Sequence, residues 1–217
     1  MKKPDLGYMW WKLSGAKARS QRLAKDQFNA ILSKLGPSDV AMDLGANVGE
    51  FTKKMTETGA QTYAFEPDPH AANLLRDKLS NVNNVTIFET AVGAREETAT
   101  LYRRNRFDAE PERATKSSSL FSDKSNMDAA SGFEVQVMDF CKFATDLDHD
   151  IAIIKMDIEG AEVELMERLL DDPIANRIGA IFVATHERKL PELAARTAAL
   201  KARTVGQDRP FVNRHWH

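Results

Sequence analysis

The sequence predicts an α/β domain with a ligand crevice at its strand ends. Three observations carry that class. Short apolar runs end in acids: Val40-Ala41-Met42 before Asp43, Gln61 to Phe65 before Glu66, and Ile151 to Met156 before Asp157. Runs of this kind read as buried strands. Stripes at helical spacing follow each of them: Phe51 and Met55, then Ala71, Leu74, Leu75 and Leu79, then Val163, Met166 and Leu170. The first strand-to-helix turn, Asp43-Leu44-Gly45-Ala46-Asn47-Val48-Gly49-Glu50, is rich in glycine. It lets a ligand approach the backbone beside the free N–H groups of a new helix.

That turn lacks the G-x-G-x-x-G order of a dinucleotide site, because Asn47 stands where the second glycine would be. Asp43 would repel a pyrophosphate. It suits a cofactor carrying an amino group and a sulfonium, which is S-adenosylmethionine. Asn47 with Glu50 three residues on also matches a capping box, a helix start that needs no ligand.

Bulk composition narrows the class. With 217 residues, 42% hydrophobic and 29% charged, the chain fits one globular domain with extensions. A net charge of -2 gives no reason to expect nucleic acid or an acidic membrane as partner. The single cysteine, Cys141, excludes an intramolecular disulfide framework and argues against a cysteine zinc site. No apolar run approaches the ~20 residues of a membrane span. Trp10-Trp11 is followed at once by Lys12, so no signal-peptide core is visible and a cytoplasmic location is the default expectation.

In chain order, residues 1–36 read as a basic, helical arm. Phe28, Ile31, Leu32 and Leu35 recur at helical spacing, with Gly36 as the stop and Pro37 beyond. Tyr8, Trp10 and Trp11 either pack this arm onto the body or form a lid. Residues 37–217 read as the main domain, with an insert near 94–140. Glu66 follows the first turn by about 20 residues, the distance at which a strand-end acid grips ribose hydroxyls. Asp68-Pro69 is an N-cap followed by a first-turn proline. Val85 to Phe88 is a third strand, and the Thr90-Ala91 turn after it offers small side chains to an adenine ring. Residues 98–103 and 133–140 alternate, as half-exposed strands do. The polar stretch 104–131 between them is expected to lie over the acceptor side of the pocket and to be mobile without substrate. Alternation puts Lys155 and Asp157 on one face at the end of the most apolar strand. Ile178 to Val183 is the next strand, leading to His186. An alanine-rich helix follows Pro191, and Phe211 to Asn213 is a short closing strand.

Four segments together resemble the FkbM-family methyltransferases: residues 43–49, Phe65-Glu66-Pro67, Ala91-Val92-Gly93, and Lys155-Met156-Asp157-Ile158-Glu159-Gly160-Ala161-Glu162. The resemblance implies a class I, Rossmann-like methyltransferase sheet of seven strands in the order 3-2-1-4-5-7-6, with helices on both faces. It implies S-adenosylmethionine as methyl donor and a hydroxyl on a saccharide or small natural product as acceptor; from the charge, neither nucleic acid nor membrane is expected as partner. Carried over by position, Asp43, Gly45, Ala46, Asn47 and Gly49 hold the methionine part, Glu66 the ribose, and Asp157 and Glu159 face the methyl group or the acceptor. Ala91 lies on the adenine side.

Methyl transfer from a sulfonium needs alignment and a route for the acceptor's proton. The candidate bases are His186, Asp157 and Glu159. A divalent metal on the two acids would be an alternative, but two acids alone do not define a metal site, so none is assigned. An NAD-dependent oxidoreductase shares the fold class and would use Glu66, but the turn sequence and Asp43 count against it. A non-catalytic binding protein on the same scaffold would bind the cofactor without turnover.

Overall fold

The computed structural model describes residues 15–102, 132–186 and 191–216. The expectations for Tyr8, Trp10, Trp11 and the stretch 104–131 fall outside the described residues.

The core of the chain is a six-stranded sheet in the order β3-β2-β1-β7-β8-β9, with every neighbouring pair parallel. Its strands are β1 (Val40–Leu44), β2 (Gln61–Phe65), β3 (Val85–Phe88), β7 (Ile151–Met156), β8 (Ile178–Val183) and β9 (Phe211–Asn213). The central three, β1, β7 and β8, are almost wholly buried, which is why they read as continuous apolar runs. A smaller sheet, β4-β6-β5, combines β4 (Ala91–Gly93), β5 (Glu97–Leu101) and β6 (Phe133–Asp139), with β5 antiparallel to β6. The alternation of β6 is real: Val135 and Val137 are buried while Glu134 and Gln136 face out.

The α/β class with a mostly parallel sheet and helices on both faces therefore holds, but strand count and order differ from the seven-stranded 3-2-1-4-5-7-6 scheme. Strands β3-β2-β1-β7-β8 fill its first five positions. The place beyond β8 is taken by β9, in parallel. The reason lies in the connection: a short 3-10 turn (Pro191–Leu193) and the helix Ala194–Arg203 separate β8 from β9. A helical crossover returns the chain to the same end of the sheet, so the next strand must run parallel. Among the described residues no antiparallel strand joins this sheet.

Two apolar layers sandwich the sheet. On one face the helix Ala16–Leu32 buries Ala24, Phe28 and Leu32 against Ala41, Ile153, Phe182 and Trp216. Phe28 meets Phe182 edge-on at 5.2 Å and Trp216 at 4.6 Å. The helix stops at Leu32, three residues before the position its apolar spacing suggests. Leu35 still packs on this layer from the turn that follows, so the stripe outlasts the helix. On the other face the helices Phe140–Asp146, Glu162–Asp171 and Ala194–Arg203 cover Met42, Leu44, Ile154 and Met156. These layers hold the ends of β1, β2 and β7 side by side. No helix among the described residues is long and apolar enough to cross a membrane.

Candidate active site

A cavity of about 340 Å³ opens at the C-terminal ends of β1, β2 and β7. Open α/β sheets bind ligands at this end, where the strand order reverses. Gly45, Ala46 and Asn47 form one wall, Glu66 and Pro67 the next, Ala91, Val92 and Leu101 an apolar side, and Lys155, Asp157 and Glu159 the far side.

The first turn is tied to both neighbouring strands. Gly45 and Ala46 each donate a backbone N–H to the Phe65 carbonyl, and the Asp157 N–H reaches the Leu44 carbonyl. Gly45 has φ +79, and a Cβ there would overlap the carbonyl oxygen of Asp157. Only glycine lets the turn lie this close to the β7 end. Asn47 also adopts a positive φ, 49°. Its side chain accepts from the N–H of Val48, and the helix Glu50–Thr56 starts from Gly49 without a side-chain cap. The capping box suggested by Asn47 and Glu50 is therefore not formed. Gly49 sits outside the cavity lining, where a Cβ would strike Leu75.

Glu66 stands at the end of β2, 6% exposed. It accepts the Asn47 N–H at 2.8 Å and the Asp68 N–H at 2.9 Å, one on each oxygen. Burial pushes its carboxyl up to about 7, against the pull of those two N–H groups and of Lys155; the Asp68 charge adds to the rise. Each oxygen keeps a further acceptor direction for a ligand hydroxyl.

Asp43 does not line the cavity. It is fully buried beneath it, accepting from Thr52 Oγ1 at 2.7 Å and facing Lys155 Nζ at 3.1 Å. Lys155 also donates to the Gly45 carbonyl at 2.6 Å. Burial by itself would lower the ammonium, but the charges of Asp43 and Asp157 outweigh it and hold it raised. Asp43 thus reaches the site through Lys155, the one cation among the described lining residues. The site is nonetheless dominated by carboxylates: Glu50, Glu66, Asp157 and Glu159.

Beyond β7 the segment 157–161 bends back, with Glu159 at φ 56. Glu162, fully buried in the first turn of the next helix, holds that bend together. Its Oε1 accepts the Ile158 N–H and its Oε2 the Gly160 N–H, both at 2.8 Å. Glu162 also binds His186 Nδ1 at 3.0 Å. His186, 7% exposed, lies behind the cavity wall rather than in it, with Nε2 at 3.3 Å from Glu159 and 3.7 Å from Asp157. Burial favours a neutral imidazole, but Glu162 first, then Glu159 and Asp157, overcome it and raise the group above its ordinary value.

The structure thus gathers Gly45, Ala46, Asn47, Glu66, Ala91, Asp157 and Glu159 around one cavity, with Asp43, Gly49 and His186 behind its walls. The sequence alone assigned neither Lys155 nor Glu162 a role. The alternation of Lys155 with Asp157 hinted at the first. Glu162 carried no such hint, because its bonds to the Ile158 and Gly160 N–H groups depend on the bend of segment 157–161.

These residues fit S-adenosylmethionine. Glu66 can receive a ribose diol, and the small apolar side around Ala91 and Val92 can receive a flat base. The carboxylate-rich end suits a sulfonium and an amino group, and it disfavours a pyrophosphate.

Comparisons with known proteins agree. The model of the methyltransferase FkbM domain matches residues 43–203. Ribosomal RNA small subunit methyltransferase A of Thermotoga petrophila is 38% identical over 63 residues, 29% of this chain and 24% of that protein. The 2-O-methyltransferase NoeI of Sinorhizobium fredii is 32% identical over 71 residues, 32% of this chain and 28% of that protein. The chain thus spans about a quarter of the length of these curated relatives. A putative ribosomal RNA methylase from Clostridium thermocellum superposes with a TM-score of 0.47 at 9% identity, covering 84% of this chain and 80% of that one. A putative methyltransferase from Streptococcus mutans, solved with SAH, gives a TM-score of 0.29 at 25% identity over 31% of this chain and 40% of that one. The expectation that nucleic acid is not a partner finds no support among these relatives.

Proposed function

The chain belongs to the FkbM methyltransferase domain family, and from that premise we propose that it transfers a methyl group from S-adenosylmethionine to a hydroxyl oxygen of a saccharide or other small acceptor. The observation that carries this reading is one cavity with Glu66 at the β2 end and Asp157 and Glu159 at the β7 end. Bound there, S-adenosylmethionine supplies an electrophilic methyl on its sulfonium, and the C–S bond breaks as the acceptor's C–O bond forms.

The chain's residues supply the rest. Glu66 holds the ribose, and the turn 45–47 fixes the methionine part against the β7 end. Ala91 and Val92 pack the base. Asp157, exposed enough to meet a second ligand, holds the acceptor hydroxyl and takes its proton as the C–O bond forms, with Glu159 beside it and His186 behind both acids. Asp43 acts through Lys155, whose ammonium it holds at 3.1 Å beneath the turn that carries Gly45. Residues 1–36 are proposed to serve as an arm on this domain and 94–140 as its insert. The 2-O-methyltransferase NoeI supports a hydroxyl acceptor.

The test is incubation of purified protein with deuterated-methyl S-adenosylmethionine and a panel of saccharides, small alcohols and ribosomal RNA, read by mass spectrometry. Label on a hydroxyl oxygen of a small acceptor supports the reading. Label on RNA, or on nitrogen or carbon, overturns it.

A further inference from the structure

We infer that Glu162 is a positioning residue for methyl transfer: from behind the cavity wall it fixes where Asp157 and Glu159 stand and leaves Asp157 open to take the acceptor's proton. The inference rests on the methyl-transfer reading. Glu162 itself does not line the cavity, so it acts only through its neighbours.

Two arms run from this one carboxylate to the same pair of acids. The first passes through the backbone. Glu162 Oε1 accepts the Ile158 N–H and Oε2 the Gly160 N–H, each at 2.8 Å, so the two bonds flank Glu159. Glu159 and Gly160 both have positive φ, 56° and 126°. A non-glycine residue keeps that conformation only where its surroundings impose it, and here the two bonds to Glu162 impose it. The second arm is the imidazole. His186 Nδ1 stands 3.0 Å from Glu162 Oε1. An ionised carboxylate can only accept, so Nδ1 carries a proton and Nε2 is turned toward the two acids. It lies 3.3 Å from Glu159 Oε2 and 3.7 Å from Asp157 Oδ1.

This arrangement divides the two acids. Glu159 is the nearer to the imidazole, whereas Asp157 lies beyond direct hydrogen-bond reach of Nε2 and its side chain is 36% exposed. Asp157 Oδ1 accepts no hydrogen bond. The imidazole therefore steadies the Asp157 carboxylate without occupying that oxygen, which is the state a proton acceptor needs. Helix capping does not explain Glu162. The helix Glu162–Asp171 has Ala161 at its cap position and no side-chain cap, and Glu162 directs both oxygens to the segment before the helix. A carboxylate serving the helix alone would meet N–H groups of the helix's own first turn.

The experiment measures the affinities of S-adenosylmethionine and SAH by calorimetry on the full chain, on Glu162→Gln and on Glu162→Asp. The two ligands differ by the methyl group and the sulfonium charge, so the ratio of their affinities reads how the acids stand around that charge. Glu162→Gln should shift the ratio against S-adenosylmethionine about fivefold, the order of one charge interaction across 4 Å in a wet site, while SAH affinity changes far less. Glu162→Asp keeps the charge but is one methylene too short to reach all three partners, so it should shift the ratio in the same direction. Because either variant can misfold, hydrogen exchange on the wild-type protein gives a second readout. The Ile158 and Gly160 amides should be protected about as well as the Asp157 amide, which the Leu44 carbonyl holds. An unchanged ratio in Glu162→Gln, as a merely structural loss would give, overturns the inference. So does a normal ratio in Glu162→Asp, or free exchange of either amide in the wild type. A wild-type chain that binds neither ligand overturns the methyl-transfer reading and this inference with it, whereas binding of both with an unchanged ratio in the variant overturns the inference alone.

Discussion

Lys155 Nζ lies 3.1 Å from Asp43 Oδ1 across the β1–β7 pair, with both side chains almost completely buried. The two residues are register partners on neighbouring parallel strands, so the sheet itself brings them together. A buried pair of this kind adds little net stability, but loss of one partner leaves a charge stranded in the interior. Lys155→Met should therefore cost about 3–5 kcal/mol. Asp43→Asn combined with Lys155→Met should recover most of that loss, since no bare charge then remains. Urea denaturation of the two variants checks this. A double variant no more stable than Lys155→Met would mean that the ammonium matters for its bond to the Gly45 carbonyl instead.

Glu66 sets a pH dependence whose sign follows from its burial. Its carboxyl is raised to about 7 from an ordinary 4.5, so between those values the folded protein holds a proton that the unfolded chain has lost. The stability this group contributes is complete below pH 4.5, declines as pH rises to 7, and is flat above. The total is about 3 kcal/mol, from ~1.4 kcal/mol for each unit. Glu66→Gln should flatten that slope in denaturation curves taken from pH 5 to 8. Cofactor binding should run the other way. Ribose hydroxyls donate best to the ionised carboxylate, so SAH affinity should rise from pH 6 to 8 with release of a proton. Calorimetry at pH 7 in two buffers of different ionisation heat measures that proton, and an identical heat in both removes Glu66 from ribose binding.

Phe28 ties the first described helix to the sheet. Its ring is buried among Phe51, Phe182 and Trp216. Phe28→Ala removes a large core side chain and should cost about 3–5 kcal/mol. Leu23, 58% exposed on the same helix, provides the control, and Leu23→Ala should change stability by less than about 0.5 kcal/mol. Equal losses in the two variants would show that the helix docks through a different face.

What could be read ahead of the structure followed from local pattern. Strands β1, β2 and β7 announced themselves as apolar runs closed by acids, β8 as an apolar run leading to His186, and β6 by its alternation. The strand β4 was invisible as such, because three residues, Ala91–Gly93, show no period and its partner β6 lies some 45 positions away. The position of β9 beside β8 depends on a crossover, which no strand period encodes. At the site, Glu66 and Asp157 were legible because each ends a strand. The burial of Asp43 under Lys155, and the meeting of Glu162 with His186 across 24 residues, are tertiary facts with only faint local traces.

The tightest point of the site yields the last prediction. Gly45 and Gly206 share nearly the same left-handed backbone, φ +79 and +74, but their surroundings differ. A Cβ at position 206 meets nothing within 4 Å, whereas one at position 45 runs into the Asp157 carbonyl. Alanine at either position carries the same conformational strain, about 1–2 kcal/mol. Any excess at position 45 therefore measures the collision between the first turn and the end of β7. Gly206→Ala should lose only the strain and keep SAH affinity. Gly45→Ala should lose clearly more stability, because neither backbone can retreat without giving up the Gly45–Phe65 or Asp157–Leu44 hydrogen bond. It should also lose SAH binding by tenfold or more, since the same shift moves Asp157 away from the cavity. Melting curves and calorimetry on the pair decide it. Equal stability losses, with SAH affinity intact in Gly45→Ala, would mean that the turn can back away from β7 and that the closeness of the two backbones is not what shapes the pocket.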